Sequence, residues 1–489
     1  MTDFSSAVFP VETMAVPGGQ ETIVRGGRHL FGSLVEGFAG VRRIGVLGWG
    51  PQGRAQALNL RDSLAGSGIT VTVGLRPRSA SAAAARAEGF TEEDGTLGDW
   101  LAVAADSDLV LLLVADAAVA RHYPEIFAAL RPGSTLGLSH GFLLGYLKET
   151  GDRFPDGVSV IAVCPKGMGD SVRRLYVQGA RVNGAGINAS FAVHADHDGR
   201  ATDRALAWSI ALGAPYTFRT TLRDEYLSDI VGERAILLGA VHGIVESLYT
   251  RARLAGADPV AAYRRSCENI TGPIARAISA DGLLGVRDAL SGEGREVFDR
   301  AYAAGYRPAR ELIAEIYQEV ADGTELRSVV LAGERLRSTP MTPISGSPMW
   351  SAAAEVHARR GAEAVPVDPF AAGVFVATMT AQVDLFAELG HPWSEIVNES
   401  IIEAVDSLLP YMHARDVAHM VDNCSTTARL GARRWGPRFQ AVLEQIVFPA
   451  ADGAGGGDPA LVEAFLANPV HEALAAAAKL RPPVDIAVA

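Results

Sequence analysis

Two pairs of acidic residues are spaced so that each pair falls on one face of a helix. Asp229 and Glu233 form the first pair, and Glu399 and Glu403 form the second. The residues between them are mostly apolar, so these helices should be buried, and buried acids need a compensating partner. Carboxylate oxygens are the ligands that hard divalent cations prefer, Mg²⁺ above all. The spacing predicts a metal site, whereas a single pair of this kind is more often a solvated helix face.

A glycine-rich turn with the pattern G-x-G-x-x-G follows the apolar run Ile44–Leu47 and precedes a helical pattern. Strand, turn and helix in this order are the setting in which the motif binds a dinucleotide. The glycines let the backbone approach a pyrophosphate at the helix N-terminus, where free N–H groups and the helix dipole favour anions. The candidate cofactor-binding residues of the turn are Gly48, Trp49, Gly50, Pro51, Gln52 and Gly53.

The segment after the next predicted strand indicates which dinucleotide is bound. Arg76, Arg78, Ser79 and Ser81 follow the strand Ile69–Leu75. An NAD site usually places an acid here to bind the ribose 2′-hydroxyl, and this segment has none. Guanidinium and hydroxyl donors suit a 2′-phosphate, which a carboxylate would repel. We predict NADPH rather than NADH. A basic helix start capped by Ser79 is the structural alternative, and the two are compatible.

Three more polar residues stand at the ends of predicted strands. Asp116 follows the apolar run Leu109–Ala115 and is a further candidate for cofactor binding. His140 and Lys166 each follow a later strand. The ligand crevice of a doubly wound sheet lies beyond the carboxyl ends of its strands, so these two are candidate catalytic residues. Taken alone, the first could equally be a core or loop histidine and the second a surface lysine.

The elements that must position these residues fall into two halves. Residues 41 to about 218 alternate strands and helices, which implies a doubly wound parallel sheet. Its predicted strands are Ile44–Leu47, Ile69–Leu75, Asp108–Ala115, Thr135–Leu138 and Val158–Val163. From about residue 220 only helical patterns remain, divided by a Pro- and Ser-rich break at 337–348. Stretches 226–290 and 370–430 resemble each other weakly, as an internal repeat would.

Composition limits the class of protein. The chain has 489 residues, of which 48% are hydrophobic, and a net charge of −12. An acidic chain is not suited to nucleic acid, because phosphate binding needs a basic face. Its three distant cysteines form neither a disulfide framework nor a zinc pattern. The apolar run Leu109–Ala115 is too short to cross a bilayer, and the N-terminus does not resemble a signal or transit peptide. We expect a soluble cytoplasmic protein without a membrane partner.

Several blocks of the sequence resemble the ketol-acid reductoisomerase (acetohydroxyacid isomeroreductase) family in its long, plant-type form. The matching blocks are Ile44–Gly53, Leu136–Gly145, Val160–Gly169, Ser171–Gly179, Ser228–Arg234 and Met420–Gly431. The similarity covers nearly the whole chain. It implies an α/β Rossmann domain followed by an all-α, knotted and internally duplicated domain. The implied boundaries are an N-terminal arm at 1–40, the Rossmann domain at 41–220 and two helical halves at 221–350 and 351–489.

The resemblance implies roles for the acidic residues. Asp229 would bridge two Mg²⁺ ions and Glu233 would bind one of them. Glu399 and Glu403 would complete the metal-water and substrate shell, and Ser425 would contact the substrate carboxylate. Glu395 also stands four residues before Glu399. The family pattern falls on the later pair, so we expect Glu395 to be a surface acid.

The resemblance also implies roles in the first half of the chain. His140 and Lys166 match polar residues near the substrate and the metal waters, and Arg76, Ser79 and Ser81 match the 2′-phosphate clamp. Two positions depart from the family pattern. Pro51 stands where plant relatives often have Ser, which removes one backbone N–H from the pyrophosphate turn. Arg78 stands where Gly is common, which would strengthen the clamp.

The activity that the resemblance implies has two steps. A Mg²⁺-dependent alkyl shift in 2-acetolactate or 2-aceto-2-hydroxybutyrate precedes hydride transfer from NADPH. The products are 2,3-dihydroxy acids on the route to valine, leucine and isoleucine. The substrates would be small 2-hydroxy-3-keto acids, and the assembly a homodimer or homotetramer. The location would be the cytoplasm, or a plastid if the chain is a processed plant or algal form.

Two other functions fit part of the sequence. A metal-free β-hydroxyacid dehydrogenase would explain the cofactor turn and Lys166, but not four buried carboxylates. A non-catalytic NADPH-binding scaffold would leave Asp229 and Glu403 exposed at the surface. The burial of these acids and the dependence of turnover on Mg²⁺ separate the three possibilities.

Overall fold

A computed structural model of the protein describes residues 3–336, 338–361, 365–453 and 458–484. The described chain forms two compact units. Residues 3–227 together with 476–484 make the N-terminal unit, and residues 228–475 make the helical unit. Arg337, the first residue of the predicted Pro- and Ser-rich break, lies outside the described residues.

A ten-stranded sheet forms the centre of the N-terminal unit, in the order β1-β2-β10-β9-β8-β7-β6-β3-β4-β5. The strands are β1 Glu12–Val16, β2 Gly19–Arg25, β3 Arg43–Leu47, β4 Thr70–Leu75, β5 Leu97–Asp99, β6 Leu109–Leu112, β7 Thr135–Leu138, β8 Ser159–Pro165, β9 Ala189–Ala195 and β10 Tyr216–Arg219. From β5 to β8 all neighbours are parallel. Strand order reverses at β3 and β6, where such sheets bind dinucleotides.

All five predicted strands are present, one with the predicted bounds and the others with bounds that differ by at most three residues. The N-terminal segment is more ordered than an arm. Strands β1 and β2 form an antiparallel hairpin around Pro17 and Gly18, and Gly18 takes a φ of 78° that glycine tolerates. Strand β2 then pairs with β10, so the hairpin extends the sheet.

Helices alternate with the strands in this unit. They are α1 Leu34–Gly37, α2 Pro51–Ser63, α3 Ala82–Ala87, α4 Trp100–Asp106, α5 Asp116–Ala129, α6 Phe142–Thr150, α7 Gly169–Arg181 and α8 Ala201–Leu212, with a 3₁₀ helix at Arg28–Ser33. The buried Trp208 of α8 donates a hydrogen bond of 3.0 Å from its indole N–H to Gln56 of α2. Helix α9, Leu222–Arg234, begins in this unit and ends in the helical unit.

The helical unit contains no strand among its described residues. Its α-helices are α10 Gly239–Leu254, α11 Pro259–Arg265, α12 Cys267–Asn269, α13 Ala275–Asp288, α14 Gly292–Ala321, α15 Thr324–Arg335, α16 Pro348–Ala358, α17 Pro369–Glu388, α18 Trp393–Val397, α19 Leu409–Arg415, α20 Val417–Asn423, α21 Thr426–Val442, α22 Phe448–Asp452, α23 Pro459–Leu466 and α24 Val470–Ala478. Wider π-helical turns stand at Ile270–Ile274, Asn398–Ile402, Ala404–Leu408 and Leu443–Val447. An α/β unit and a helical unit confirm the predicted fold class, while the knot stays a prediction.

Helix α17 lies at the centre of the helical unit. Its length and composition would allow it to cross a membrane. However, 83% of its most apolar stretch of 18 residues is buried inside the protein. A Cβ at its Gly373 would lie 2.5 Å from the carbonyl oxygen of Phe298 in α14. The two helices therefore approach closely only because position 373 has no side chain. This is the packing of a core helix.

Candidate active site

The three glycines of the turn after β3 have three different surroundings. Gly48 has a φ of 109°, and a Cβ there would lie 2.5 Å from the carbonyl oxygen of Leu113. A Cβ at Gly53 would lie 2.6 Å from the carbonyl oxygen of Gly48, so Gly53 allows the helix to pack against the turn. A Cβ at Gly50 would meet nothing within 4 Å. The open space at Gly50 is where a pyrophosphate would approach the backbone.

Pro51 occupies the first position of α2, with Gly50 as the N-cap. Proline is favoured there because the N–H that it lacks has no partner within the helix. The turn is also tied to the segment after β8. The Gln52 side-chain amide donates a 2.8 Å hydrogen bond to the Gly167 carbonyl, and a Cβ at Gly169 would lie 2.1 Å from the Pro51 carbonyl. The two loops thus form one rigid surface.

The segment at residues 76–81, which the sequence predicts to bind a 2′-phosphate, exposes its two arginines to solvent. Arg76 and Arg78 are exposed, while Ser79 and Ser81 are half-buried. Within the described residues neither guanidinium forms an ion pair, which leaves both available to an anion. Arg78 has a φ of 60°, the left-handed conformation that favours glycine. Glycine would adopt that conformation at a lower cost than arginine.

Ser79 does not cap the helix that follows, so the capping alternative is wrong. Helix α3 begins at Ala82 with Ser81 as its N-cap residue, and Ser81 makes no side-chain capping bond. The Ser79 hydroxyl instead accepts a 3.3 Å hydrogen bond from the Ser81 N–H. This local turn holds both serines beside the two arginines.

His140 lies against Asp116. The distance from His140 Nε2 to Asp116 Oδ1 is 3.0 Å, and Asp116 is buried at the start of α5. His140 Nδ1 accepts a hydrogen bond of 3.3 Å from the Phe142 N–H. The ring proton of the neutral imidazole is therefore on Nε2, where it faces the carboxylate. The structure places Asp116 as the partner that orients His140.

Lys166 is buried and paired with an acid that the sequence analysis missed. Its Nζ lies 2.7 Å from Glu225 Oε2, and Glu225 also accepts a 2.8 Å hydrogen bond from the Ser190 hydroxyl. The alternative of a surface lysine is therefore wrong. Glu225 stands one helical turn before Asp229 on α9, and that spacing was the signal that could have found it.

Helix α9 carries three carboxylates at intervals of four residues, from Glu225 through Asp229 to Glu233. In the helical unit, Asp229 and Glu399 each offer a carboxylate oxygen within 4.8 Å of the other. Oxygen atoms at this separation can share one cation. The structure therefore brings together one member of each predicted pair.

The second pair lies on a widened helix. Glu399 falls within the π-helical turn Asn398–Ile402, and Glu403 stands between it and the next π-helical turn. Both residues are buried. The Gln382 side-chain amide donates to the Glu399 carbonyl at 3.3 Å and to the Ser400 hydroxyl at 3.1 Å. Such π-turns are frequent at functional sites, and Gln382 supports this one from α17.

Glu395 is not a surface acid, and that expectation is wrong. Its side chain is fully buried, and its Oε1 lies 2.9 Å from Nδ1 of His391. The Tyr317 hydroxyl lies 3.1 Å from Nε2 of the same ring. The i, i+4 spacing from Glu395 to Glu399 reflects a buried polar network that continues along the helix.

The loop before α21 meets the same carboxylates. Cys424 is half-buried as a residue, and burial of its thiol, with a further contribution from Glu233 and Glu403, raises its pKa to about 12. Ser425 is exposed and forms the N-cap of α21, where its hydroxyl accepts a 3.0 Å hydrogen bond from the Ala428 N–H. Ser425 thus belongs to a loop that adjoins Glu233 and Glu403.

Glu233 is paired with the residue that follows it. Arg234 Nη1 lies 2.9 Å from Glu233 Oε2, and the Arg234 side chain is fully buried. Burial opposes its charge, but the carboxylates of Glu325 and Glu233 outweigh that effect and raise the pKa of Arg234. A permanent cation therefore adjoins one of the predicted metal ligands.

Two family models match the chain. The first, "Acetohydroxy acid isomeroreductase, NADPH-binding domain", matches residues 40–217. The second, "Ketol-acid reductoisomerase, C-terminal domain", matches residues 222–361. Both matches include candidate residues described above, with the glycine turn in the first and Asp229 and Glu233 in the second.

Curated relatives and a solved structure agree with the family models. A chloroplastic ketol-acid reductoisomerase from Spinacia oleracea is 55% identical over 99% of this chain and 83% of its own length. A ketol-acid reductoisomerase (NAD(+)) from Desulfosudis oleivorans is 35% identical over 65% of this chain and 89% of its own. The fold is similar to that of an NADH-preferring ketol-acid reductoisomerase from an uncultured archean, with a TM-score of 0.57 and 24% identity, over 65% of this chain and 95% of that one.

These matches exclude the dehydrogenase and scaffold alternatives, and the burial of Glu403 also speaks against the scaffold. The N-terminal unit binds a nicotinamide cofactor, and the substrates are small keto acids. The chain belongs to the ketol-acid reductoisomerase family in its plant type, the enzymes that isomerise and reduce acetolactate in branched-chain amino acid biosynthesis.

Proposed function

We propose that this chain uses NADPH, together with Mg²⁺, to convert 2-acetolactate or 2-aceto-2-hydroxybutyrate into 2,3-dihydroxy acids. The observation that carries the proposal is the approach of the Asp229 and Glu399 carboxylates to within 4.8 Å. When bound, the metal polarises a carbonyl and lowers the pKa of a hydroxyl, and the cofactor supplies a hydride. The remaining work belongs to the side chains of the protein.

The choice of NADPH is supported by the segment after β4. Arg76 and Arg78 are exposed, form no ion pair within the described residues, and are followed by two half-buried hydroxyls. A 2′-phosphate would accept charge-assisted hydrogen bonds from such donors. Relatives differ in this respect, since one from Desulfosudis oleivorans is named for NAD(+). The preference must therefore come from the residues of this segment rather than from the fold.

The donor set fits Mg²⁺ better than a softer metal. Asp229, Glu233, Glu399 and Glu403 offer only carboxylate oxygens, which Mg²⁺ prefers, whereas zinc sites use His and Cys. Asp229, Glu233, Glu399 and Glu403 would hold the divalent ions through these oxygens.

Other residues of the chain orient the substrate and hold protons. The Lys166 ammonium, buried beside Glu225, places a positive charge at the end of β8. His140 keeps its proton on Nε2 toward Asp116 and can pass it on only if that pair opens. Ser425 has an exposed hydroxyl at the N-terminus of α21, where a carboxylate is favoured by the helix dipole. We propose that Ser425 binds the substrate carboxylate.

Oxidation of NADPH, followed by absorbance at 340 nm, tests the proposal. Purified protein should oxidise NADPH with 2-acetolactate when Mg²⁺ is present and stop when the metal is chelated, and added Mg²⁺ should restore the rate. NADH in place of NADPH should give a much lower kcat/KM. A rate that is independent of Mg²⁺ would contradict the metal assignment, and equal use of NADH would contradict the cofactor assignment. We expect a homodimer or homotetramer, in the cytoplasm or, if the chain is a processed plant or algal form, in a plastid. The chloroplastic relative from Spinacia oleracea favours the plastid.

A further inference from the structure

Glu325 is a buried acid that the reaction does not use directly, yet three donors converge on it. It lies in the first turn of α15 and is 2% exposed. Its Oε2 accepts from Arg234 Nε at 2.9 Å, and its Oε1 accepts from Arg434 Nη1 at 2.6 Å and from the Trp435 indole N–H at 2.8 Å. The helix dipole favours an ionised carboxylate at this end of α15.

One of these donors also contacts a proposed metal ligand. Arg234 donates through Nε to Glu325 and through Nη1 to Glu233, both at 2.9 Å. Its side chain packs against Gly431 of α21, where a Cβ would lie 3.1 Å from the guanidinium carbon and would crowd it. A single buried cation is therefore shared between a structural carboxylate and a catalytic one.

Two acids compensate Arg234 in the wild-type protein. Arg234 pairs with Glu233 and Glu325, whereas Arg434 pairs with Glu325 and Glu319. Without the charge of Glu325, Glu233 would be the one acid among the described residues left to pair with Arg234, and a buried cation that loses a partner is strongly unfavourable. A divalent ion at Glu233 would then compete with Arg234 for the same carboxylate.

We infer that Glu325 is a positioning residue for the metal site, which engages Arg234 so that the Glu233 carboxylate stays available to a divalent cation. The inference rests on the proposed function, since it assumes that Glu233 is a metal ligand. The same acid holds Arg434 and Trp435 of α21, the helix that Ser425 caps. Glu325 therefore contacts both Arg234, which pairs with the proposed metal ligand Glu233, and the helix whose N-cap is the proposed substrate-binding residue Ser425.

Calorimetric titration of the metal-free full-length protein with Mg²⁺ measures this effect without turnover. Glu325→Gln keeps the shape and the acceptor for Trp435 but removes the charge, and it should weaken Mg²⁺ binding at least tenfold. Glu319→Gln is the matched control, because Glu319 also pairs with Arg434 but is not among the partners of Arg234; it should bind Mg²⁺ within twofold of wild type. The double variant Glu325→Gln/Arg434→Gln removes one charge of each sign, which keeps the wild-type net charge of the cluster, and should recover most of the affinity.

If Glu325→Gln does not fold, Arg434→Gln alone tests the inference. Arg434 is partly exposed, so we expect the protein to fold without its side-chain charge. It removes one positive charge and should tighten Mg²⁺ binding about threefold. Unchanged Mg²⁺ affinity in folded Glu325→Gln, or unchanged or weaker affinity in Arg434→Gln, would overturn the inference. Asp229→Asn distinguishes a failure of the proposed metal site from a failure of the role inferred for Glu325. If Asp229→Asn binds Mg²⁺ like wild type, the metal site itself is misassigned. If Asp229→Asn loses Mg²⁺ binding and Glu325→Gln does not, only the role of Glu325 is wrong.

Discussion

Lys166 and Glu225 form an ion pair that is almost completely buried, with 2.7 Å between Nζ and Oε2 and side-chain exposures of 2% and 1%. Lys166 directly follows β8, and Glu225 lies on α9, 59 positions later in the sequence. A second donor, the Ser190 hydroxyl, also donates a hydrogen bond of 2.8 Å to this carboxylate. The pair fixes a lysine charge at the strand end where the ligand crevice of such a sheet lies.

Removal of one partner of this pair should destabilise the protein more than removal of both. Lys166→Met leaves a buried carboxylate uncompensated and should lower the free energy of unfolding by about 3–5 kcal/mol. Lys166→Met/Glu225→Gln removes both charges and should recover a large part of that loss. Urea unfolding followed by circular dichroism gives the comparison, with the exposed Lys148→Met as control. A double variant that is less stable than Lys166→Met would contradict the pairing.

Asp229 should separate the two chemical steps. On the proposal that Asp229 is a metal ligand, Asp229→Asn replaces a charged ligand with a neutral amide. It should abolish conversion of 2-acetolactate, because the Lewis-acid chemistry proposed for the alkyl shift would be lost. Reduction of 3-hydroxy-3-methyl-2-oxobutyrate, the rearranged ketone, should persist in part because the cofactor turn is untouched. NADPH oxidation with each substrate measures the two steps. Glu311→Gln, an exposed acid on α14, should leave both rates unchanged; wild-type turnover of 2-acetolactate by Asp229→Asn would falsify the assignment.

Cofactor preference should reverse when acids replace the clamp. Arg76→Asp with Ser79→Asp repels a 2′-phosphate and offers acceptors to a 2′-hydroxyl. Charge-assisted contacts contribute about 1.5–3 kcal/mol each, so the ratio of kcat/KM for NADPH over NADH should fall at least about 100-fold. Steady-state kinetics with both cofactors provides the ratio. Arg121→Asp, at an exposed position of α5, should keep the wild-type ratio, and an unchanged ratio in the double variant would show that the clamp lies elsewhere.

Gly50 and Gly169 should respond differently to a methyl group. Gly50→Ala meets no atom within 4 Å, so its melting temperature should be unchanged while its Kd for NADPH rises at least tenfold. Gly169→Ala places a Cβ 2.1 Å from the Pro51 carbonyl and should destabilise the fold by about 1–3 kcal/mol. Thermal melts and a fluorescence titration with NADPH separate the two effects. Gly32→Ala, whose Cβ would also meet no atom within 4 Å, should change neither the melting temperature nor the Kd for NADPH. Normal NADPH binding by Gly50→Ala would argue against a pyrophosphate at this turn.

Asp416 should be more tolerant of glycine than of alanine. It joins α19 to α20 with φ 83° and ψ 150°, a conformation that costs a residue with a side chain about 1–3 kcal/mol. Its carboxylate accepts from the Tyr263 hydroxyl and lies 3.2 Å from His357 Nε2. Both substitutions lose these contacts, but only glycine relieves the strain, so Asp416→Gly should be about 1–2 kcal/mol more stable than Asp416→Ala. Equal midpoints in urea would mean that the junction relaxes without cost.

Sequence patterns within a single turn or helix predicted those parts of the site that a single turn or helix forms. The turn from Gly48 to Gly53 follows from the order of strand, glycines and helix, and each carboxylate pair follows from helical spacing. Helical spacing could not show that Glu395 is buried, because exposed and buried acids follow the same spacing. Only the contacts with His391 and Tyr317, from other parts of the chain, decide that Glu395 is buried.

Contacts between distant segments explain what the sequence analysis missed. Glu225 gains its role from Lys166, which precedes it by 59 positions, and no motif connects the two. The hairpin of residues 12–25 joins the sheet through β10, nearly two hundred positions later. The π-helical turns around Glu399 and Glu403 were not foreseen, since their wider winding depends on packing against neighbours such as Gln382 rather than on residue type.

The N-terminal hairpin covers strand β10, which would otherwise be the edge of the sheet. Strand β10 pairs with β9 on one side and with β2 on the other, so its backbone N–H and C=O groups are occupied on both sides. Without β1 and β2, the segment Tyr216–Arg219 would become an unpaired sheet edge, which recruits strands from other molecules. Shortened versions prepared for crystallisation or for domain studies should therefore begin before Glu12, even though the cofactor turn lies more than thirty residues later.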